Sequence, residues 1–359
     1  MKNFSLILVA TLTLAFFNKA GAQTSAAIQQ VDDSHQRRER IEAAAVHLES
    51  TNAPELYPDE TSDLGPQTVL KTKNRQHILE AMADVQYLFT DNMFLTEKNH
   101  QNTDVLLSTV KLALKPVSLD FAGGTLTPSV GYEHQWYDFG LANKDRVEVF
   151  RFGTTPFPPG TPKNVRLNVF DFNAQTAFAG LEWRRENWSA DLGFDFRRLL
   201  TTSAYSEFYK EYVPRWGLQR SFAICEQSSL TVGYSGDYRF AEPKSQTLVL
   251  EGGGLITQIN PDMRDRTDHS LFVTYDQSLC PHAVLQPYYQ LKYTRFVESE
   301  FGTRNDLLSS AGLALYWTVC RNCDLRAFVD YNARFSNNRH ASEYRQFDGG
   351  LGMNVTFRF

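Results

Sequence analysis

The chain ends in the sequence Gly349-Gly350-Leu351-Gly352-Met353-Asn354-Val355-Thr356-Phe357-Arg358-Phe359. From Leu351 to Phe359 a large apolar residue occupies every second position, and glycine or a polar residue occupies each position between. A period of two residues is the period of a β-strand, whose successive side chains point to opposite faces. The pattern therefore predicts a terminal strand with one apolar face and one polar or small face.

A phenylalanine at the end of such a strand resembles the C-terminal signature of bacterial outer-membrane β-barrels. The resemblance implies that Phe357 and Phe359 form the barrel-assembly signal of this chain. It also implies two partners, the lipid of the outer membrane and the barrel assembly machinery.

Alternation of the same kind recurs along most of the remaining sequence. It predicts eleven further strands at about 79–90, 104–116, 125–139, 168–184, 188–199, 209–224, 229–240, 269–278, 283–297, 305–319 and 323–335. Most of them exceed the ~9–11 residues that a tilted strand needs to cross a bilayer. With the terminal strand the total is twelve, and single-chain bacterial barrels have even strand numbers.

The connections between these strands alternate in length. Short ones lie at 117–124, 185–187, 225–228, 279–282 and 320–322, and longer ones lie at 91–103, 140–167, 200–208, 241–268, 298–304 and 336–344. Short periplasmic turns opposite long outer loops are typical of membrane barrels. We therefore predict an all-β chain whose residues 78–359 form a transmembrane antiparallel up-and-down β-barrel of about twelve strands, with a periplasmic N-terminus.

The two longest connections carry features of their own. Residues 247–250 and 255–259 flank a glycine-rich turn and predict a hairpin with short arms outside the membrane. If these arms crossed the membrane, the barrel would have fourteen strands. Residues 155–162 include four prolines and predict a stiff segment that does not pair as a strand.

Composition and charge exclude several protein classes. The chain has 359 residues, of which 42% are hydrophobic, and this is sufficient for a large folded body. Beyond the N-terminus no apolar run reaches the ~18 residues of a helical membrane span. The net charge of −5 argues against a nucleic-acid partner.

The N-terminal region precedes the first predicted strand. Residues 1–22 have the basic start, apolar stretch and small-residue cleavage site of a signal peptide. Residues 23–77 form a predicted periplasmic extension, with a short amphipathic helix at best in 26–50 and a proline-containing linker in 51–75. We expect a mobile tail, and the alternatives are a plug of the lumen or a contact with a periplasmic partner.

Charged residues of both signs fall on the predicted inward face. The lumen-lining candidates are Glu80, Asp84, Lys111, Lys115, Glu133, Asp191, Asp195, Arg197, Arg215, Asp237, Arg239, Asp276, Lys292, Arg326, Asp330 and Arg358. Selective pores usually show a ring of one sign. The balanced set therefore favours either a network of ion pairs that fills the lumen or a weakly selective path for small hydrophilic solutes.

The four cysteines all fall at predicted periplasmic turns, in an oxidising compartment. Three pairings are possible, and we favour structural disulfides Cys320–Cys323 and Cys225–Cys280. A zinc site would need all four cysteines to converge. We therefore expect no metal there.

Catalytic and calcium-binding patterns are weak. Outer-membrane phospholipase resembles this chain in strand number, but Trp136 stands where that family's serine would follow the outward His134. Asp262, Asp265 and Asp268 recur every third residue, but Arg264 and Arg266 interrupt this set, so we expect a solvated loop. The sequence predicts no enzyme, no metal and no cofactor.

The end of the first strand carries one further resemblance. The sequence Thr90-Asp91-Asn92-Met93-Phe94, followed by Asp104 at the next strand, resembles the start of the porin-2-type β-barrel family. Proteins of that family are often inferred to be pores. We therefore expect a small, weakly selective diffusion pore, and the alternative is a non-conducting structural or surface-binding barrel that uses its long outer loops.

Overall fold

The computed structural model describes residues 26–44, 78–95, 97, 100–142, 146–150, 162–202, 204–243, 246–250, 254–258, 264–297, 303–338 and 343–359. One helix, α1, spans residues 26–44, and a short 3₁₀ helix spans Leu167–Phe170. The strands are β1 (Leu79–Thr90), β2 (Thr103–Leu114), β3 (Leu119–Phe121), β4 (Gly124–Phe139), β5 (Arg146–Phe150), β6 (Pro162–Arg166), β7 (Phe172–Arg185), β8 (Trp188–Thr201), β9 (Glu207–Cys225), β10 (Ser228–Pro243), β11 (Gln246–Leu250), β12 (Gly254–Gln258), β13 (Arg266–Cys280), β14 (Ala283–Phe296), β15 (Asn305–Cys320), β16 (Cys323–Ser336) and β17 (Tyr344–Arg358).

Twelve strands form a closed antiparallel barrel, as the sequence predicts. The order around the barrel is β1, β2, β4, β7, β8, β9, β10, β13, β14, β15, β16 and β17, and β3 is an extra short strand paired with β4. The terminal strand β17 pairs with β1 from Glu80–Arg358 to Thr90–Asp348 and closes the ring. The backbone N of Phe359 continues this pairing by donating to the Leu79 carbonyl at 2.8 Å.

The two faces of the barrel wall differ in polarity. Along β1 the inward side chains Glu80, Asp84 and Gln86 are buried, whereas the outward Val85 and Tyr87 are exposed. The other barrel strands also expose large apolar residues such as Leu192, Leu271 and Leu351. An apolar outer surface of this extent needs an apolar surrounding, and a closed barrel leaves no unpaired strand edge in it. The fold is therefore a transmembrane β-barrel. No helix within the described residues is long and apolar enough to span a membrane.

The long connections contain two hairpins outside the barrel sheet. Strands β11 and β12 pair only with each other, so the predicted hairpin is confirmed and the fourteen-strand alternative is wrong. Strands β5 and β6 form a second separate hairpin that the sequence did not predict.

The proline-rich stretch lies outside the described residues except for Pro162, which pairs with Phe150. Proline is tolerated there because Pro162 is the first residue of its strand.

The fourth predicted strand begins later than expected. Residues Leu167–Phe170 form the 3₁₀ helix, and β7 begins at Phe172. The backbone N of Phe139 donates to the Asp171 carboxylate at 2.9 Å, and this contact ties the segment to the end of β4. Leu167 is buried among the aromatic residues of the same end of the barrel, so packing outweighs the strand pattern.

Neither predicted disulfide is formed. All four cysteines are free thiols. Cys225 Sγ lies 3.0 Å from the Ser228 hydroxyl of its own turn instead of contacting Cys280. Cys320 and Cys323 face each other across the two-residue turn between β15 and β16 as thiols.

Close approach of strands and rings imposes glycine at inward positions. A Cβ on Gly131 would clash with the Leu112 carbonyl and the Phe178 ring, whereas a Cβ on Gly349 would have its nearest neighbours at 3.7 Å. We expect Gly131→Ala to destabilise the barrel by about 1–3 kcal/mol, the usual cost of overpacking. The temperature at which the fast-migrating folded band disappears in gels should fall for Gly131→Ala and stay unchanged for the control Gly349→Ala. An equal effect of the two substitutions would contradict the register of β4.

Candidate functional site

Helix α1 lies inside the barrel, so the expectation of a mobile tail is wrong for residues 26–44. Its side chains contact inward residues of β2, β4, β8, β10, β14, β16 and β17, seven of the twelve strands and on all sides of the lumen. A polar helix becomes ordered in this position because the wall offers its charges partners of opposite sign.

The dimensions of the barrel match one helix. Twelve strands about 4.8 Å apart and tilted by about 40° enclose a backbone cylinder roughly 24 Å wide. Inward side chains of roughly 6 Å from each side leave about 12 Å, close to the 10–12 Å diameter of an α-helix. The 19 residues of α1 span about 28 Å, nearly the thickness of a bilayer core. The helix therefore fills much of the lumen over most of its length.

The N-terminal half of α1 is acidic and meets a basic part of the wall. Asp32 Oδ1 accepts hydrogen bonds from Arg197 Nη1 at 3.0 Å and Arg239 Nη1 at 2.9 Å. Its other oxygen lies 3.6 Å from Lys292 Nζ. Three cations from three different strands thus converge on one buried carboxylate.

The middle of α1 is basic and meets an acidic part of the wall. Arg37 lies 3.1 Å from Asp330 and 3.6 Å from Asp348, two carboxylates that are directly opposite each other on β16 and β17. Its guanidinium also lies over the Phe328 ring, 4.8 Å from the centroid. Removing Arg37 would leave two like charges facing each other in a buried site, which is costly.

Ser34, His35 and Arg38 of α1 make further contacts, mainly with strand β4. The Ser34 hydroxyl accepts a hydrogen bond from Gln135 Nε2 at 2.8 Å and lies 3.0 Å from Tyr137 Oη. Arg38 pairs with Glu133 and donates to the ring of His35 at 2.8 Å. Burial, and next the Arg38 charge, lowers the pKa of His35 well below its ordinary value, so the ring is neutral and can accept this bond.

The C-terminal end of α1 points to the end of the barrel with short connections. Glu42 accepts a hydrogen bond from Lys111 Nζ at 2.7 Å, near the end of β2 that leads into such a connection. Ile41 and Ala44 belong to the same apolar cluster as Ala314 and Tyr316 of β15. Ala26, the first described residue, packs with Leu95, Leu308 and Tyr344 at the opposite end. Residues 23–25 lie outside the described part, and the periplasmic N-terminus stays a prediction.

Two neighbouring carboxyl groups of α1 have opposite pKa shifts. Burial alone would raise the pKa of Asp32, but Arg239, Lys292 and Arg197 together hold it well below its ordinary value. Burial raises the pKa of Asp33 to about 6, and the charges of Arg37 and Lys292 offset this effect only in part. Asp32 is therefore ionised at neutral pH, whereas ionised Asp33 costs free energy in the closed lumen.

The predicted lumen residues divide into three groups. Those that contact α1 are Lys111, Glu133, Arg197, Arg239, Lys292 and Asp330. Those that pair within the wall are Glu80, Asp84, Lys115, Asp191, Asp195, Arg215, Arg326 and Arg358. The third group consists of two carboxylates that contact residues next to the α1 contacts or polar wall residues. Asp237 pairs with Arg239, which also contacts α1, and Asp276 accepts a hydrogen bond from Gln286 at 2.6 Å.

Several functional residues were missed from the sequence. On the wall they are Glu211, Arg266, Asp268 and Asp348, and on α1 they are Asp32, Asp33, Arg37 and Arg38. The wall residues occupy inward positions that strict alternation could have identified. The residues of α1 carried no such signal, because a helix that is polar on all sides looks like a solvated segment.

The residues considered for a calcium or catalytic site lie in different parts of the barrel. Asp265 accepts a hydrogen bond from the Ala241 backbone at 2.8 Å, Asp268 pairs inside the barrel, and Asp262 lies outside the described residues. Among the described residues no cluster of three or more potential ligands could hold a metal ion. His134 stacks against Trp136 with ring centroids 4.1 Å apart.

Comparison with known proteins finds similarity of structure only. No family model matches the chain, and no curated protein matches it by sequence. The translocator domain of the autotransporter NalP from Neisseria meningitidis is 12% identical, with a TM-score of 0.40, covering 92% of this chain and 98% of that one. An outer-membrane channel from Pseudomonas putida F1 is 10% identical, with a TM-score of 0.43, covering 84% of this chain and all of that one. The KdgM porin is 12% identical, with a TM-score of 0.35, covering 77% and 99%. The barrel thus resembles bacterial outer-membrane proteins, and the porin-2-type family is not confirmed.

The pKa shifts of Asp32 and Asp33 predict opposite effects of two adjacent substitutions. Asp32→Asn should loosen α1, because it removes the charge that three cations hold, whereas Asp33→Asn should tighten it at pH 7. Release can be measured as the maleimide labelling rate of Ala44→Cys, a buried position, in a variant whose four native cysteines are serine. Each rate is normalised to the unfolded protein at the same pH.

The pH dependence follows from the raised pKa of Asp33. Because this pKa is higher in the closed lumen than in water, α1 should be held most tightly below the ordinary carboxyl pKa and lose stability as pH rises to about 6. The Asp33→Asn variant should show a smaller change. Labelling that rises equally in both single variants would contradict the assignment.

Proposed function

We propose that this protein is an outer-membrane channel whose pore is closed by its own N-terminal helix and opens when α1 leaves the lumen. The charge match between α1 and the wall is the observation that carries this proposal. An acidic segment faces Arg197, Arg239 and Lys292, and a basic segment faces Glu133, Asp330 and Asp348. A tail trapped in the lumen by chance is not expected to place its acidic residue beside basic wall residues and its basic residues beside acidic ones.

The lumen without α1 is wide enough for solutes. The same dimensions that admit a helix leave a path about 12 Å wide, sufficient for small hydrophilic molecules. Near the short connections, on the side of β8 and β9, the inward side chains of Arg215 and Asp191 are partly exposed and pair at 3.3 Å. The mixed charges there favour weak selectivity between cations and anions.

The ion pairs between α1 and the wall are compatible with reversible release of the helix. Ion pairs taken out of water lose hydration energy nearly equal to their mutual attraction, so they give specificity with little net affinity. When α1 leaves, water replaces the helix and solvates the charges on both sides. A helix held mainly by apolar contacts would have no such compensation.

The outer surface supports a place in the bacterial outer membrane. The exposed apolar band fits lipid, and Phe357 and Phe359 at the closing strand fit recognition by the barrel assembly machinery. We further propose that the short connections face the periplasm and that the protein has no catalytic activity. Residues 1–22 would serve as the export signal.

A non-conducting barrel is the second candidate, and one observation favours it. Some ion pairs within the wall do not involve α1, such as Arg326 with Asp84 at 2.7 Å and Lys115 with Glu80 at 3.0 Å. These pairs would stay in the lumen after α1 leaves. If they block it, the long outer loops become the place where the protein acts.

Planar-bilayer recordings distinguish the two candidates. We expect the mature chain to be mostly silent and a variant lacking residues 23–44 to give steady currents, because the lumen is then free of α1. A synthetic peptide of residues 23–44 should block these currents again. The full-length variant Arg37→Glu/Arg38→Glu, whose helix is repelled by Asp330, Asp348 and Glu133, should also conduct.

Folding of every variant is checked by heat-modifiable gel mobility, so that an absence of current is interpreted only for folded barrels. If neither the variant lacking residues 23–44 nor the Arg37→Glu/Arg38→Glu variant conducts although both are folded, the channel is overturned and the non-conducting barrel is favoured. Steady current of the full mature chain, unchanged by deletion of residues 23–44, would contradict closure by α1.

A further inference from the structure

We propose that the cations around Asp32 are an anion site of the open channel that takes the carboxylate group of a solute, and that Asp32 occupies this site when the channel is closed. The inference rests on the proposed function for its role in transport. The site itself can be tested without any current.

The Asp32 carboxylate is held as a ligand would be. Both of its oxygens face cations, Oδ1 toward Arg197 and Arg239 within 3.0 Å and Oδ2 toward Lys292 at 3.6 Å. The three cations come from β8, β10 and β14, and all are nearly fully buried. Because they belong to the barrel wall, they keep their places when the helix leaves.

Neighbouring groups keep the cations in place. Glu211 lies 2.8 Å from Arg197 and 3.5 Å from Arg239, and Asp268 lies 3.1 Å from Arg239. Asp237 accepts from Arg239 at 2.9 Å. These wall contacts do not depend on α1, so the guanidinium groups remain oriented in the open barrel.

The three cations lose a shared partner when α1 leaves. Asp32 is a carboxylate that Arg197, Arg239 and Lys292 all approach within 3.6 Å. In the open barrel an anion from solution can take its place between them, in a confined site where electrostatic attraction is strong.

Shape favours a carboxylate over other anions. The three cations are arranged around two oxygens on one carbon. Phosphate would bring additional charge and oxygen atoms toward Glu211 and Asp268. Solutes with a carboxylate group would therefore be held on this side of the lumen, opposite the acidic residues Glu133, Asp330 and Asp348.

Chemical rescue tests the site in the full-length protein. The Asp32→Ala variant removes the carboxylate and leaves room for a small anion, so labelling of Ala44→Cys should rise about tenfold, as expected for lost charge-assisted hydrogen bonds. Sodium formate should return the labelling rate to within about twofold of the parent protein, because it supplies the missing carboxylate. Sodium chloride and sodium phosphate at the same ionic strength should not.

Equal effects of formate, chloride and phosphate would show simple screening and overturn the carboxylate site. No rescue by any anion would also overturn it. As a matched control, formate should leave the Arg37→Ala variant unrescued, because that variant lacks a cation and not an anion.

Reversal potentials of the barrel lacking residues 23–44 give the second test. A potassium chloride gradient should show anion preference that Lys292→Met reduces, whereas the control Lys210→Met, a lysine paired with Glu242 outside the lumen, should not change it. Formate rescue combined with a silent barrel would retain the site and reject the channel. Conduction without rescue or anion preference would retain the channel and reject the site.

Discussion

The opposite charges of α1 and the barrel wall are the interaction on which the rest of the lumen depends. Without Asp32, Arg197, Arg239 and Lys292 would lose the carboxylate that they share, and without Arg37, Asp330 and Asp348 would face each other with no cation between them. Each side therefore neutralises the other, and neither is suited to burial alone. The order of charges along α1, acidic toward the long connections and then basic, also fixes the direction in which the helix lies.

This interaction connects the fold to the proposed function. A barrel of twelve strands has a lumen of about one helix diameter, so a single segment can close it without large changes in the wall. Apolar contacts of Ala26, Ala27 and Ile28 at one end and Ile41 and Ala44 at the other hold the two ends of α1. Between them the contacts are mainly ion pairs and hydrogen bonds. Such a contact is specific because wrong registers bring like charges together, and reversible because the released charges are solvated again.

The barrel could be predicted from the sequence because every strand obeys the same two constraints, lipid on one side and polar groups on the other. Alternation reflects these constraints directly, and the alternating connection lengths agree with it. The number of strands and most inward residues could therefore be predicted. The role of α1 could not be predicted in this way. Its residues Asp32 to Glu42 are polar on nearly every face, which in isolation describes a solvated segment, and its partners lie from about 70 to 310 residues away. The disulfides were expected from compartment chemistry, but Cys225 and Cys280 belong to different turns and all four cysteines are free thiols.

The most direct measurement is cross-linking of α1 to the wall in native outer membranes. The Ser34 hydroxyl accepts a hydrogen bond from Gln135 Nε2 at 2.8 Å, and a cysteine side chain ends two bonds short of that amide, so the Ser34→Cys/Gln135→Cys variant places two thiols within reach of a short bifunctional thiol reagent if α1 occupies the lumen. In a protein whose native cysteines are serine, we expect the reagent to form an intrachain cross-link rapidly and to fix residues 26–44 within the folded barrel. A folded barrel in which the two introduced thiols stay unlinked, and in which the one on α1 reacts with maleimide as fast as in an unfolded chain, would contradict the account.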